Sequence, residues 1–207
     1  SYHISTSGGD HVNAYETLDN LTQNANGLLR TADAVSANIS RTTFAQYVHL
    51  RGMERVGSGI YLSPDAWKDG MRLLQFVAAS DFSHDTALFL HGLTDREPLA
   101  YTVTVKTGYN PHRLHEEGVM VYTVKKELYD LGLSQAETPF GNTVAVYDPE
   151  RTICDVLRSR NRMEVQTVRD ALRDYTARRD KDLRRLMHYA QALHVETILR
   201  SYLAVLL

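Results

Sequence analysis

Arg41, Thr42, Thr43 and Gln46 stand within six residues of one another, in the run Ser-Arg-Thr-Thr-Phe-Ala-Gln that begins at Ser40. A guanidinium can grip guanine or phosphate, a carboxamide can pair with adenine, and hydroxyls bond to either bases or backbone. Shortly after, ERVGSGIYL puts Arg55 and Ser58 in a glycine-rich turn, where a cation and a hydroxyl would reach phosphate or the minor groove. These six residues form the candidate DNA-binding set.

Catalytic and metal-binding alternatives are weaker. His112 and His115 in NPHRLHEEG have a spacing that could bring two imidazoles to one metal, with Glu116 or Glu117 nearby, but the segment is expected to be a loop bearing surface histidines. Lys106-Thr107-Gly108 lacks the glycine-rich approach of a phosphate-binding loop. Cys154 lies next to Ile153 on the apolar side of an expected helix, the place of a small buried hydrophobe rather than a nucleophile. No serine, histidine and aspartate set has a recognisable local signature. The chain is therefore read as a non-enzyme without metal or cofactor.

Composition narrows the setting. The 207 residues suffice for one good core, or for a small core and a larger one. A single cysteine excludes an internal disulfide framework and a cysteine-built zinc site, which suits a reducing cytosol. No run approaches the roughly 20 apolar residues of a membrane span, and the opening SYHISTSGGDHVNAYETL lacks a signal pattern, so a soluble cytoplasmic protein is expected. Residues 1–12 read as a disordered arm or an expression remnant. The formal net charge is -2, so attraction to a polyanion must be local. Between Arg30 and Leu62, four arginines face only Asp33 and Glu54. Screening over about 8 Å lets that local sign prevail over the total.

The elements that would position the six residues follow from periodicity and capping. Tyr15, Leu18, Leu21 and Ala25 recur at helical spacing over Asn13 to Asn24, and Asn26-Gly27 closes that helix. Thr31 can cap a short helix over Ala32 to Ala37, with Asp33 in its first turn. Asn38 and Ile39 then turn the chain, Ser40 caps the next helix, and Gly52 ends it after Arg51. Ala34, Val35, Ile39, Phe44 and Val48 would form the inner face, leaving the polar set outside. Glu54–Val56 and Ile60–Leu62 pair as a hairpin around Gly57-Ser58-Gly59, and Pro64 stops the second strand. Residues 13–66 thus read as a winged helix-turn-helix, a design that also serves as a protein–protein module.

Residues 67–207 read as a larger mixed domain, making the whole chain α+β. Met71, Leu74, Val77 and Ala78 mark a helix over Asp69 to Ala79, and a short one covers Ser83 to Leu90. LAYTVTVK, VMVYTV and NTVAVY have the alternation and β-branched content of strands. Helix returns at Pro149, capped by Asp148, with the stripe Ile153, Val156 and Leu157. At least three more helices follow, with stripes at Val165, Val168, Leu172 and Tyr175, then at Leu183, Leu186, Met187, Ala190 and Leu193. Trp67 and the aromatic-rich stretch from Tyr61 are expected to pack the two domains together. From Arg151 to Arg185 the chain carries eleven basic residues against six acidic ones, concentrated as Arg158, Arg160, Arg162 and as Arg178, Arg179. Such a run makes either a solvated helix face laced with ion pairs or a functional basic surface.

Taken in order, ISRTTFAQYVHLRGMERVGSGIYLSP, TALFLHGL, YDPERTICDVLRSR, VRDALRDY and LRRLMHYAQAL resemble the AbiE-type abortive-infection antitoxins of type IV toxin-antitoxin systems, over about residues 13 to 205. The resemblance implies a repressor of its own operon that binds promoter inverted repeats through the winged helix. It also implies a C-terminal domain that counters a nucleotidyltransferase toxin without forming a stable complex. The two arginine clusters are then candidates for the antitoxic surface, meeting DNA backbone, the toxin, or an RNA that the toxin modifies. One winged helix with few arginines releases few counterions, so a protein monomeric in solution that binds two copies per operator is expected. The alternative is a stand-alone winged-helix regulator whose second domain senses a ligand or a partner; an enzyme hosted by that domain is a more distant third.

Overall fold

The computed structural model describes residues 8–78 and 80–207, with backbone alone for residues 8–12. The chain divides into two units, Ser1–Leu73 and Leu74–Leu207. The expected arm lies outside the described residues as far as residue 7; from Gly8 the chain is already helical, so residues 8–12 belong to the first helix.

In the first unit, α1 (Gly8–Asn24) ends where Asn26 and Gly27 both take positive φ. The chain turns there directly into β1 (Leu28–Arg30), a strand not anticipated from sequence because three residues carry no readable period. Helix α2 (Thr31–Ser36) follows, with Thr31 as its first residue rather than its cap. Arg30 occupies the cap position, and its guanidinium grips Asp33 through two 3.0 Å bonds. Helix α3 (Arg41–Leu50) and the hairpin β2 (Glu54–Gly57) and β3 (Ile60–Leu62) complete the unit. The sheet order is β1-β3-β2, antiparallel throughout, so β1 closes the hairpin into a three-stranded sheet. This is the winged-helix arrangement.

Two apolar clusters hold the unit. Leu18, Leu29, Ala34, Phe44 and Tyr47 pack between the helices, while Leu28, Ile60 and Leu62 pack on the other side of the sheet. Val35, expected inside, is 56 % exposed near the end of α2, and Tyr47 fills the inner face instead. Ala66 and Leu73 pack on the second cluster, and the Arg72 guanidinium donates to the Ala25 carbonyl. The first unit therefore runs past the expected boundary at residue 66, to Leu73 within α4 (Gly70–Val77). Ala79, the expected end of that helix, lies outside the described residues. Trp67, expected to pack between the domains, is 79 % exposed, and Tyr61 packs edge-on against Phe44 at 5.4 Å.

The second unit is mixed. Its sheet contains β4 (Asp81–Phe82), β5 (Thr102–Lys106), β6 (Met120–Val124), β7 (Leu133–Glu137) and β8 (Thr143–Tyr147), in the order β6-β5-β4-β8-β7. Pairs β5–β6 and β4–β8 are parallel; β4–β5 and β7–β8 are antiparallel. Helix α5 (His84–Leu90) and the short α6 (His112–Glu116) and α7 (Lys126–Tyr129) connect the strands. After β8 come α8 (Pro149–Arg158), a single 3-10 turn at Arg160–Arg162, α9 (Val165–Ala177), α10 (Leu183–Ala192) and α11 (Glu196–Leu206). Helix α8 is the centre: every residue from Glu150 to Leu157 is buried, and Ile153, Val156 and Leu157 join the cluster built from Leu172, Leu186, Leu193 and Leu199. Val165, expected on the apolar stripe, stands at the start of α9 and is exposed.

Candidate functional site

Among the described residues, helix α3 is held from one side only. Ser40 caps it, its hydroxyl accepting from the Thr43 backbone N–H at 3.1 Å. Asn38, at φ +58, and the Ile39 N–H bond to the Ala34 carbonyl at 3.0 Å set the turn that precedes it. On the inner face Tyr47 donates its hydroxyl to Asp19 of α1 at 2.6 Å, and Arg51 grips the same carboxylate through 2.8 and 3.1 Å bonds. Partial burial pushes the Asp19 carboxyl up, but the bonds from Tyr47 and Arg51 outweigh it and leave the group below its ordinary value. Burial, reinforced by that carboxylate, raises the Tyr47 phenol.

The outer face then presents Arg41, Thr42 and Gln46, all exposed. Thr43 does not join them. It is half-buried, and its hydroxyl accepts from Ser40 Oγ at 2.9 Å, so it belongs to the cap. His49 does join them, exposed one turn beyond Gln46 and two beyond Thr42. Its i+3 spacing from Gln46 was the available signal. On the wing, Ser58 and Arg55 are exposed; Arg55 Nε donates to the Gly57 carbonyl at 3.2 Å, across the irregularity where β2 shifts register against β3. Gly59 takes φ +67 at the tip, and its carbonyl accepts from the Thr31 N–H at 2.9 Å, tying the wing to α2.

Charge on this surface is scarcer than the sequence count implies. Among the described residues Arg30 is paired with Asp33 and Arg51 with Asp19, while Arg41 and Arg55 form no ion pair.

In the second unit the segment DPERTICD stitches helices together. Asp148 caps α8 by accepting from the Arg151 N–H at 2.7 Å and from the Tyr189 hydroxyl at 2.8 Å. Glu150 accepts from the Tyr175 hydroxyl at 3.2 Å and the Asp182 N–H at 3.0 Å. Arg151, fully buried, pairs with Asp155 at 3.0 Å, donates to the Leu128 and Leu131 carbonyls, and lies 4.3 Å over the Tyr147 ring. Burial pushes the Asp155 carboxyl up even with Arg151 against it.

The end of α8 opens on a cavity of about 350 Å³. His84 sits in its wall, 2 % exposed and at φ +48. Its Nδ1 is 2.8 Å from Ser83 Oγ and its Nε2 3.0 Å from Ser159 Oγ. The ring stacks on Tyr122 at 3.6 Å, and the Arg162 guanidinium lies 4.5 Å from the Tyr122 ring centroid. Burial, reinforced by Arg151, Arg162 and Arg158, pushes the imidazole down to about 3, so it is neutral at physiological pH. Nothing in the spacing of DFSHD pointed to this residue, because its partners are distant in sequence.

The structure separates the arginine clusters. Arg158 and Arg162 line the cavity, whereas Arg160 turns to donate to the Leu157 carbonyl at 2.7 Å. Arg178 is engaged with Asp180 at 2.8 Å and the His91 carbonyl at 2.7 Å; Arg179 is exposed. Arg173 pairs with Asp170 and Asp174, as a laced helix face would.

His112 and His115 lie on the short helix α6, not in a loop; Pro111 holds the cap position, and the Asn110 side chain just before it accepts from the His112 N–H at 3.1 Å. His112 pairs with Glu116 at 3.2 Å. Among the described residues no group of three histidine, cysteine or acidic side chains could hold a metal ion. Cys154 is buried, and burial raises its thiol. Lys106-Thr107-Gly108 is the end of β5 and the turn after it, with Lys106 over the Tyr129 ring. No helix among the described residues is long and apolar enough to cross a membrane.

No protein-family model and no curated protein sequence matches the chain. Its fold is similar to a solved structure, that of the RV2827C protein from Mycobacterium tuberculosis. The TM-score is 0.59 at 14 % identity, covering 98 % of this chain and 79 % of that one. At that identity the likeness concerns the fold.

Proposed function

We infer that this chain is a DNA-binding transcriptional regulator that lays α3 in the major groove. In this reading Arg41, Thr42 and Gln46 read base edges, and Arg55 and Ser58 meet backbone or minor groove from the wing. The observation that carries it is the one-sided anchoring of α3. Phe44 and Tyr47 fix the inner face, while the outer face holds side chains of the types that read bases. With Arg30 and Arg51 each paired to a carboxylate of the same unit, a single copy has few cations to offer, which supports a site of two half-sites. The resemblance to AbiE-type antitoxins gives the regulator its context: repression of its own operon at inverted repeats, with the larger unit countering a nucleotidyltransferase toxin.

A gel-shift titration on the DNA upstream of the chain's own gene tests this. Arg41→Ala and Gln46→Ala should each weaken binding by about 1 to 3 kcal/mol if they read bases. Unchanged affinity in both variants would remove α3 from the interface. A second reading, a regulator whose larger unit senses a ligand, is favoured by the polar cavity at His84.

A further inference from the structure

Four features of the second unit coincide at one place. The cavity at the end of α8, about 350 Å³, lies within the size range of small-molecule sites, roughly 300 to 1,000 Å³. Arg158 and Arg162 stand on its wall, and among the described residues neither forms an ion pair. Two buried polar atoms of lining residues have no hydrogen-bond partner among the described residues: the Tyr122 hydroxyl and Asp155 Oδ2. His84, at φ +48, takes the left-handed backbone conformation that histidine adopts more readily than most residues, and this sets its ring in the cavity wall.

The charges decide the ligand's sign. Of the lining side chains only Asp155 is acidic, and Arg151 lies against it. Arg158 and Arg162 therefore make the wall cationic, and His84 adds no charge. Guanidinium forks suit the several oxygens of a phosphate, and Ser159, Asn161 and Thr123 supply further donors. The unpartnered Asp155 oxygen is an acceptor, and a ligand hydroxyl would satisfy it.

We propose that the cavity between β6, His84 and the C-terminal end of α8 binds a small hydroxylated phosphate ester, with Arg158 and Arg162 on the phosphate and Asp155 accepting from a hydroxyl. The site takes the ligand whole and performs no covalent step. It stands independently of the DNA-binding reading, since none of its residues lies in the first unit.

Isothermal titration of the full chain with ribose 5-phosphate, adenosine monophosphate, ribose and inorganic phosphate tests the proposal. Saturable binding of at least one ester is expected, at least about tenfold tighter than ribose or inorganic phosphate. Arg158→Gln and Arg162→Gln should each weaken it by about tenfold or more, and Arg179→Gln, outside the cavity, should leave it unchanged. Arg158 and Arg162 are exposed at the surface, so both variants should keep the native circular dichroism spectrum. Absence of saturable binding by both esters would overturn the proposal, as would equal binding of ribose or equal affinity in both cavity variants. Binding of a 5'-phosphorylated RNA oligonucleotide with no binding of either ester would reassign the arginines to nucleic acid.

Discussion

Replacing His84 by asparagine isolates one buried titration. Asparagine tolerates the φ of +48 that the backbone imposes, and it carries no proton to gain. In the folded chain the imidazole is held neutral down to about 3, whereas in the unfolded chain it protonates near 6.5. The folded pKa is depressed, so its contribution to stability is fully present above about 6.5 and is lost as the pH falls toward 3. Between pH 7 and pH 5 the unfolded state gains about 2 kcal/mol from this proton, a figure that holds for any folded pKa well below 5. His91, also depressed by burial, adds loss of the same sign. Asp85, Asp148 and Asp155, raised by burial, act in the opposite direction. All four remain in the variant, so the comparison cancels them. Urea unfolding followed by far-UV circular dichroism at pH 7 and pH 5 should show the wild type losing about 2 kcal/mol more than His84→Asn over that interval. Equal pH dependence in the two proteins would mean that His84 is not a buried neutral histidine.

Other consequences are local. Gly132 takes φ +80, and a Cβ there would lie 2.6 Å from Arg151 Cβ, so Gly132→Ala should destabilise well beyond the roughly 1 to 2 kcal/mol of backbone strain. Gly118→Ala, at φ +73 with open space around it, should show only that strain; equal melting temperatures for the two variants would contradict the packing described. Arg151→Met leaves Asp155 buried without its partner and should cost about 3 to 5 kcal/mol, partly recovered in Arg151→Met with Asp155→Leu; a loss under about 1 kcal/mol would show the pair to be dispensable. Cys154 should resist iodoacetamide at pH 8 in the native chain and react on unfolding, and mass spectrometry showing rapid native alkylation would place the thiol at the surface.

The parts legible in the sequence are those fixed by neighbours along the chain. Ser40 and Asp148 announce their helices because a capping side chain acts on an N–H three residues on, as both do here. The hairpin was readable from Gly57-Ser58-Gly59 between two β-prone runs. Strands β1 and β4 were not, since two or three residues become a strand only through their partners. Strand β7, LSQAE, was hidden by its polarity, which an edge strand tolerates. The same division governs the sites. Arg41, Thr42 and Gln46 could be placed from helical period alone, but the neutralisation of Arg51 depends on Asp19 across the unit. The His84 cavity assembles residues from α5, β6 and the end of α8, and no spacing rule connects them.

Whether α3 reads DNA sequence is decided by selecting binding sites from a pool of random duplexes with the wild-type chain and with the Arg41→Ala, Gln46→Ala double variant. The wild type should enrich one motif with inverted halves, and the double variant should lose that enrichment while weak salt-sensitive binding persists. A pool that stays random with the wild type, or the same motif recovered by both proteins, would contradict it.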